Sequence, residues 1–232
     1  MVDIKQLFQT CFEQKRNTLT EFESKLVLQE IGIPVTKQEL VDAKEAAVLE
    51  AAKKIGYPVV AKLMVEDISH KSDVGAVKLN IKNDDDLKKA LNELLAIKTS
   101  STSPRVSIQE MAAAPITEVI IGMTTDPQFG PALMFGIGGI LVELIKDVSF
   151  RIAPVSRFDC EEMIRAIQGF PLLDGFRGKK KANIQKLVDA IMAVSKFVLD
   201  YPEVQEMDLN PVFAYENAIL AVDARIVLKT HA

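Results

Sequence analysis

The chain has 232 residues, 48% of them hydrophobic, enough to bury the core of one large domain or two small ones. Its formal net charge is -4, it has no tryptophan, and its only basic cluster is Lys179-Lys180-Lys181, so nothing marks a nucleic-acid surface. Cys11 and Cys160 are too far apart in sequence for a metal-ligand spacing, the N-terminus lacks an apolar leader, and the most apolar stretch, 132–145, is short and carries Glu143. The expectation is a soluble, cytoplasmic protein with no membrane partner.

Ile4, Leu7, Phe8, Cys11 and Phe12 recur at helical spacing. Thr20, with Glu23 three residues on, predicts a capping box for a helix over 21–30, with Phe22, Leu26 and Leu28 as its apolar positions and Gly32 as its stop. Ile33-Pro34-Val35 reads as a brief strand, and the Ala- and Glu-rich run 43–54 as a helix stopped by Gly56. Val59-Val60-Ala61-Lys62-Leu63 and Ala76 to Ile81 read as strands around the polar loop Ser69-His70-Lys71-Ser72-Asp73, which Gly75 closes. Asn83 caps a helix whose first turn is Asp84-Asp85-Asp86, a charge pattern that suits the helix dipole better than a metal. Ser100 to Pro104 breaks the chain. Strands at 106–111, 118–123, 131–143 and 148–153 follow as an antiparallel meander with a turn at Asp126-Pro127-Gln128-Phe129-Gly130. Helices over 159–167 and 182–199 precede a closing pair of strands, 204–213 and 218–228. The element pattern indicates an α/β (α+β) fold with two lobes, 1–108 and 109–232.

Lys62 is the first residue that needs an explanation. An unpaired ammonium is costly to bury in an apolar strand, whereas one facing a phosphate gains charge-assisted hydrogen bonds; a lysine at a sheet edge instead reaches out to solvent. In the last hairpin, Glu206, Asp208 and Asn210 alternate with Met207, Leu209 and Pro211 and so share one strand face. A turn centred near Glu216-Asn217 sets Asn210 opposite Asp223 and Asp208 opposite Arg225. An amide oxygen facing a carboxylate suits a hard cation such as magnesium, and the same pattern also describes a solvated face with an ordinary Asp208–Arg225 pair. Gly136-Ile137-Gly138-Gly139 is no dinucleotide fingerprint, because Leu141 holds the third glycine position, and no Walker loop is present. That glycine run either lets backbone amides approach a phosphate or is a bulge in a sheet. Arg151, just beyond it, clamps a phosphate or is merely exposed. His70 is one of only two histidines, the other being His231 in the tail.

Taken in order, GIPV, GYPVVAK, SHKSDVGAVKL, QEM, MTTDPQFGPALMFGIGG, VSFRIAPV, EMDLNPV and VDARI resemble an ATP-grasp domain. More narrowly they resemble the β subunit of ADP-forming (NDP-forming) acyl-CoA synthetases, relatives of succinyl-CoA synthetase, over residues 20–228. The resemblance implies two lobes holding ATP or ADP. Lys62 would contact the phosphates, and Lys71, Ser72, Gly75, Gly138 and Gly139 would belong to the nucleotide site. Glu110 and the backbone at Ala113 would hold adenine, Glu118 the ribose, and Asn210 and Asp223 Mg2+. His70, Asp208 and Arg151 would serve the phosphoryl transfer. It further implies a CoA-binding α subunit carrying the main phosphohistidine, in an α2β2 assembly, because no CoA-binding or acid-activating region follows. Ala76 departs from the family, where many relatives have a second glycine. Two other readings stay open: a carboxylate–amine ligase of the ATP-grasp fold, and a non-catalytic ATP-binding regulatory module.

Overall fold

The computed structural model describes residues 2–64, 75–99, 103–138 and 146–229. The sequence suggests a break after residue 108, but the chain divides elsewhere, into Thr36–Ala113 and a second unit made of Met1–Val35 with Ala114–Ala232. The reason is burial. Ile4, Phe8 and Cys11 from the first helix and Val27 and Leu28 from the second share one apolar cluster with Leu187, Ile191, Val194, Leu209 and Ile226. Backbone bonds tie the same ends together: Leu19 N donates to Ile226 O at 2.9 Å, Leu228 N to Asn17 O at 2.6 Å and Ala221 N to Pro34 O at 2.8 Å.

The continuous unit, Thr36–Ala113, contains β1 (Gln38–Asp42), α3 (Glu45–Ile55), β2 (Val59–Met64), β3 (Val77–Ile81), α4 (Asp84–Leu95) and β4 (Arg105–Glu110). Its sheet has the order β1-β4-β2-β3, with every pair antiparallel. β1 was not legible: its sequence, QELVD, has no fully buried position, and a strand at 33–35 is reduced to a single bridge, Val35 to Ala221. α3 and α4 supply Val48, Ala51, Ala52, Leu87, Leu91 and Leu94 to a core with Val59, Ala61, Leu63, Val106 and Ile108. The strand period of two therefore puts Lys62, Ser107 and Gln109 on the other sheet face. Asn83 caps α4 by accepting from Asp86 N at 2.9 Å, so the three aspartates are helix chemistry, as their order implies. One of them, Asp84, also accepts the Tyr57 hydroxyl at 2.8 Å.

The discontinuous unit begins with α1 (Ile4–Glu13) and α2 (Glu21–Glu30) and resumes with β5 (Thr117–Asp126), β6 (Gly130–Ile137) and β7 (Val148–Ile152). Then come α5 (Arg157–Arg165), α6 (Phe170–Leu173), α7 (Ile184–Asp200), β8 (Val204–Ala214), β9 (Ile219–Ala221) and β10 (Arg225–Leu228). The sheet order is β10-β8-β5-β6-β7, with β9 also on β8, and again every pair is antiparallel. Three strands of the expected meander are β5, β6 and β7, but the first, 106–111, is β4 of the other unit's sheet, the expected strand 218–228 is split into β9 and β10, and the fold class is α+β. In the β5–β6 turn, Asp126 Oδ1 accepts both Gln128 N and Phe129 N, at 2.8 and 2.9 Å, and Gly130 takes a φ of +78° that disfavours side chains. Among the described residues no helix is long and apolar enough to cross a membrane.

α2 carries the predicted capping box, Thr20 with Glu23, but only Leu28 of the predicted face is buried. Its buried positions are Glu21, Ser24, Lys25, Val27 and Leu28, while Phe22 and Leu26 are only half-buried. Inside that stripe Lys25 Nζ meets Glu21 Oε1 at 2.9 Å, with the lysine side chain wholly buried. Breaking such a pair leaves one charge without its counterion in a low dielectric. Lys25→Met is therefore expected to cost about 3–5 kcal/mol, read as a fall in midpoint on denaturant unfolding. The double variant Glu21→Leu/Lys25→Met should recover most of that loss; equal losses in both would show the ion pair to be immaterial.

Candidate functional site

The hairpin formed by β8 with β9 and β10 keeps the register read from the sequence. Asp208 pairs with Arg225 and Met207 with Ile226, and, on the other side of a break in the ladder, Val212 pairs with Ala221. The same register carried through the break sets Asn210 opposite Asp223, as expected. Met207, Leu209 and Ile226 point into the core and are fully buried, which forces Glu206, Asp208 and Asn210 onto the opposite face. Asp208 also pairs across to Gly122 on β5, and Glu118 to Phe213 at the start of that strand.

Asp208 is the strained member of this face. Its Oδ1 is buried with no hydrogen-bond partner. Burial, then the charges of Glu206 and Asp223, push its carboxyl up to about 6, against the pull of Arg225. Arg225 itself lies 3.8 Å from Glu206 Oε1, a long and half-exposed pair. Asp223 Oδ1 accepts the N–H of Ala224 at 2.7 Å, which fixes the orientation of that carboxylate. Among the described residues no group of three or more His, Cys, Asp or Glu side chains gathers to hold a metal. A cation here thus needs the Asn210 amide oxygen with Asp223 and completes its shell from water and phosphate. That is the donor set magnesium takes. An orphaned carboxylate oxygen one pair away fits the same chemistry.

Two residues expected at the site are elsewhere. The Gly138 N–H donates to Glu118 O at 2.8 Å, and a Cβ on Gly138 would sit 2.9 Å from the Val119 carbonyl carbon. This glycine allows close strand packing and spends its amide there, so it offers no amide to a phosphate. Arg151 pairs with Leu133, and Leu133 with Met123, all on the helix-covered face. Ser149, two residues before it, donates its hydroxyl to Met163 O in α5 at 2.7 Å. Arg151 donates back to Phe150 O at 2.8 Å and adds its charge to the hydrogen bonds from Ser156 that hold the Asp159 carboxyl below its usual range. Its side of the sheet is opposite to that of Asp208.

In the continuous unit Lys62 is only 5% exposed on a central strand, which overturns the reading of a lysine at a sheet edge. It pairs with Ser107 of β4. Ser107 Oγ accepts Gln109 Nε2 at 3.1 Å, and Gln109 Oε1 accepts the Thr36 hydroxyl at 3.4 Å. This buried polar row on the Lys62 face was missed, although Ser107 and Gln109 alternate with Val106 and Ile108 in the sequence. Glu110 Oε1 accepts Lys37 N at 2.9 Å, anchoring the entry of β1. Ala113 is exposed. Gly75 has a φ of +72°, the left-handed geometry that calls for glycine before β3. His70, Lys71, Ser72 and Gly139 lie outside the described residues. Two surface cavities in the discontinuous unit, of about 310 and 330 Å³, lie beside the end of α2 and the β8–β9 turn and contain none of the site residues.

Two antiparallel α+β units, one with a buried strand lysine and the other with an acid–amide hairpin, define the ATP-grasp class. The ATP-grasp domain model matches residues 10–228. The Pyrococcus furiosus acetate–CoA ligase (ADP-forming) I subunit beta is 47% identical over 90% of this chain and 91% of its own length. The II subunit beta of the same organism is 46% identical over 93% and 94%. A Ca. Korarchaeum cryptofilum acetyl-coenzyme A synthetase 1, solved with coenzyme A and Mg-AMPPCP and with its phosphohistidine segment pointing towards the nucleotide site, superposes with a TM-score of 0.87 at 40% identity, over 98% of this chain and all of that one. The chain belongs to the ATP-grasp family of ADP-forming acetate–CoA ligase β subunits.

The Asp208 environment carries a measurable cost. With its folded value raised from 3.8 to about 6, the folded protein holds this proton to higher pH than the unfolded chain. The group therefore costs nothing below about pH 4, and stability falls as pH rises through 6. In the metal-free and nucleotide-free protein, Asp208→Asn should raise stability at pH 7 by about 1–3 kcal/mol and match the wild type near pH 4. Thermal melts at the two pH values check this; an Asn variant that is less stable at pH 7 would contradict it.

Proposed function

We propose that this chain is the nucleotide-binding β subunit of an ADP-forming acyl-CoA synthetase, interconverting acyl-CoA, ADP and phosphate with acid, CoA and ATP. Its partner is a CoA-binding α subunit carrying a histidine that is phosphorylated in turn, in an α2β2 assembly. One observation carries the proposal above the others: Asp208, with its orphaned buried oxygen, stands beside the Asn210 amide and the Asp223 carboxylate on one face of a hairpin. Two buried thiols outside any disulfide fit residence in the cytoplasm.

Asn210 and Asp223 would hold Mg2+, which when bound draws phosphate oxygens together and offsets the charge that builds on them. Lys62, aimed by the Ser107–Gln109 row, supports the nucleotide phosphates, with Lys71, Ser72 and Gly75 beside it. Glu110, through the oxygen not given to Lys37, and the backbone at Ala113 hold adenine; Glu118 holds the ribose. In the ATP-consuming direction the bond between the γ-phosphorus and its bridging oxygen breaks, and the electron pair stays on ADP. A new bond forms from an unprotonated imidazole nitrogen to phosphorus. The α-subunit histidine supplies that nitrogen, and His70 serves the passage near the nucleotide; the N–P bond then breaks as a carboxylate oxygen of the acid takes the phosphoryl group, and the CoA thiol displaces phosphate from the acyl phosphate. Asp208 stands next to this path, where a carboxyl near its titration point accepts a hydrogen bond from an imidazole N–H. Arg151 and Gly138 are given no part.

The test is ATP formation from acetyl-CoA, ADP and phosphate by this chain together with its α subunit. Lys62→Met should lower turnover on the order of 10²-fold, the cost of removing one preorganised charge stabiliser, without lowering the melting temperature. Asn210→Ala should raise the magnesium concentration needed for half-activity. His70→Ala should abolish turnover while nucleotide still binds; full activity in that variant would remove His70 from the relay. Absence of ATP formation with any acyl-CoA, despite a stable complex, would overturn the catalytic assignment.

A further inference from the structure

Among the described residues of the continuous unit, four polar side chains are buried: Thr36, Lys62, Ser107 and Gln109. They form one row. Gln109 and Ser107 are two residues apart on β4 and share a face, and Lys62 stands directly across from Ser107 on β2. Thr36 joins from just ahead of β1, where its hydroxyl donates to Gln109 Oε1 at 3.4 Å. Gln109 Nε2 in turn donates to Ser107 Oγ at 3.1 Å. The row thus begins at the first residue of the unit and ends at the strand lysine.

Stability alone does not call for such a row. Replacing all the partners of a buried hydrogen-bonded set by apolar groups of the same shape is close to neutral, so its worth lies in what it orients. A hydroxyl directly across a strand pair is a ready acceptor for a lysine ammonium. Here the Ser107 oxygen is taken up by the Gln109 amide and drawn along β4. The Thr36 hydroxyl holds the other end of that amide, so the side chain that engages Ser107 is fixed at both ends. One residue further on, the same strand entry grips β4 again. Lys37 N donates to Glu110 Oε1 at 2.9 Å, and Glu110 N donates to Lys37 O at 3.0 Å. Two consecutive residues, Thr36 and Lys37, therefore hold two consecutive residues of β4. One of these leads to Lys62, and the other is Glu110 itself.

We propose that Thr36 is a positioning residue of the nucleotide site. It fixes Gln109 and Ser107, and through them the placement of Lys62, while its neighbour Lys37 fixes Glu110. This rests on the reading above, in which Lys62 meets the phosphates and Glu110 the adenine. A nucleotide held at base and phosphate needs the two contacts at a set separation, and one short stretch of backbone supplies the reference for both.

The experiment compares Thr36→Val, which keeps the buried shape and removes the hydroxyl, with Thr36→Ser, which keeps the hydroxyl. Turnover is followed as ATP formation in the complex with the α subunit, and Mg-AMPPCP binding to this chain is followed by calorimetry. Thr36→Val should lower turnover at saturating nucleotide about three- to tenfold, the worth of one hydrogen bond, with the melting temperature unchanged. Thr36→Ser should turn over like the wild type. Because the effect passes through Lys62, Thr36→Val/Lys62→Met should be no slower than Lys62→Met alone. Losses that multiply in the double variant would overturn the proposal. So would wild-type turnover in Thr36→Val, or a loss that Thr36→Ser shares. If Thr36→Val melts early, Thr36→Val/Ser107→Ala/Gln109→Leu takes its place, since it removes the three neutral members together. Lower turnover in that variant, again absent on the Lys62→Met background, would support the proposal, and wild-type turnover would overturn it. A wild type that binds no Mg-AMPPCP would overturn the nucleotide reading and this proposal with it.

Discussion

The two faces of β8 make incompatible demands, and the discontinuous unit is arranged so that both are met. One face must be apolar, because Met207 and Leu209 sit in the core cluster to which α7 and the N-terminal helices also contribute. The other carries Glu206, Asp208 and Asn210, with the charges of Glu206 and Asp223 close enough to raise the titration of Asp208. A strand can do this only if its register with β5 and β10 is fixed, since a slip of one residue would exchange the two sets. The register is fixed on both sides: β5 is paired along most of β8, and β9 and β10 hold its two halves. Two short N-terminal stretches complete the grip, Asn17–Leu19 bonding to β10 and Pro34-Val35 to β9.

Asp208 shows what that arrangement costs. A carboxylate held between two others, with one oxygen sealed from water, is worse off folded than unfolded. The Lys25–Glu21 pair is the contrasting case, two buried charges that compensate each other at 2.9 Å. Lys62 is a third, a buried cation set beside a chain of neutral dipoles from Ser107 and Gln109. The first and third lie on the faces assigned to phosphate and metal. The second lies away from them and acts on stability alone. Buried charge thus separates into residues to which the proposal gives a role and a pair that acts on stability alone.

Much of this was legible because strand alternation and turn position are local. The Asp208–Arg225 register followed from the position of one turn, and the Thr20–Glu23 capping box and the Asn83 cap followed from side-chain type at fixed offsets. The phrases that resemble acyl-CoA synthetase β subunits named the family directly. Long-range burial was not legible. Nothing in EFESKLVLQE says that Glu21, Ser24 and Lys25 face inward, because that stripe is set by β10 and not by the helix's own pattern. The same limit misplaced the domain break and hid β1, whose residues are only half-buried. Glycine chemistry failed for a related reason. Gly138 and a phosphate-binding glycine look the same in sequence, and only the approach of Val119 tells them apart. Arg151 was one residue from the functional face, which on a strand means the opposite side.

The discontinuous unit also has a consequence in time. Its first two helices leave the ribosome long before β10, against which Leu19 and Asn17 form their backbone bonds. The unit Thr36–Ala113 has all its strands and both its helices within one uninterrupted segment, so it can close as soon as it emerges. The N-terminal helices must wait for residue 228, and their contacts carry the longest loop closure in the molecule. During that interval the charged stripe of α2 stays in water, where Lys25 and Glu21 are well solvated and give the helix little reason to bind the wrong surface. Its polarity, a burden in the finished core, protects the chain while it waits.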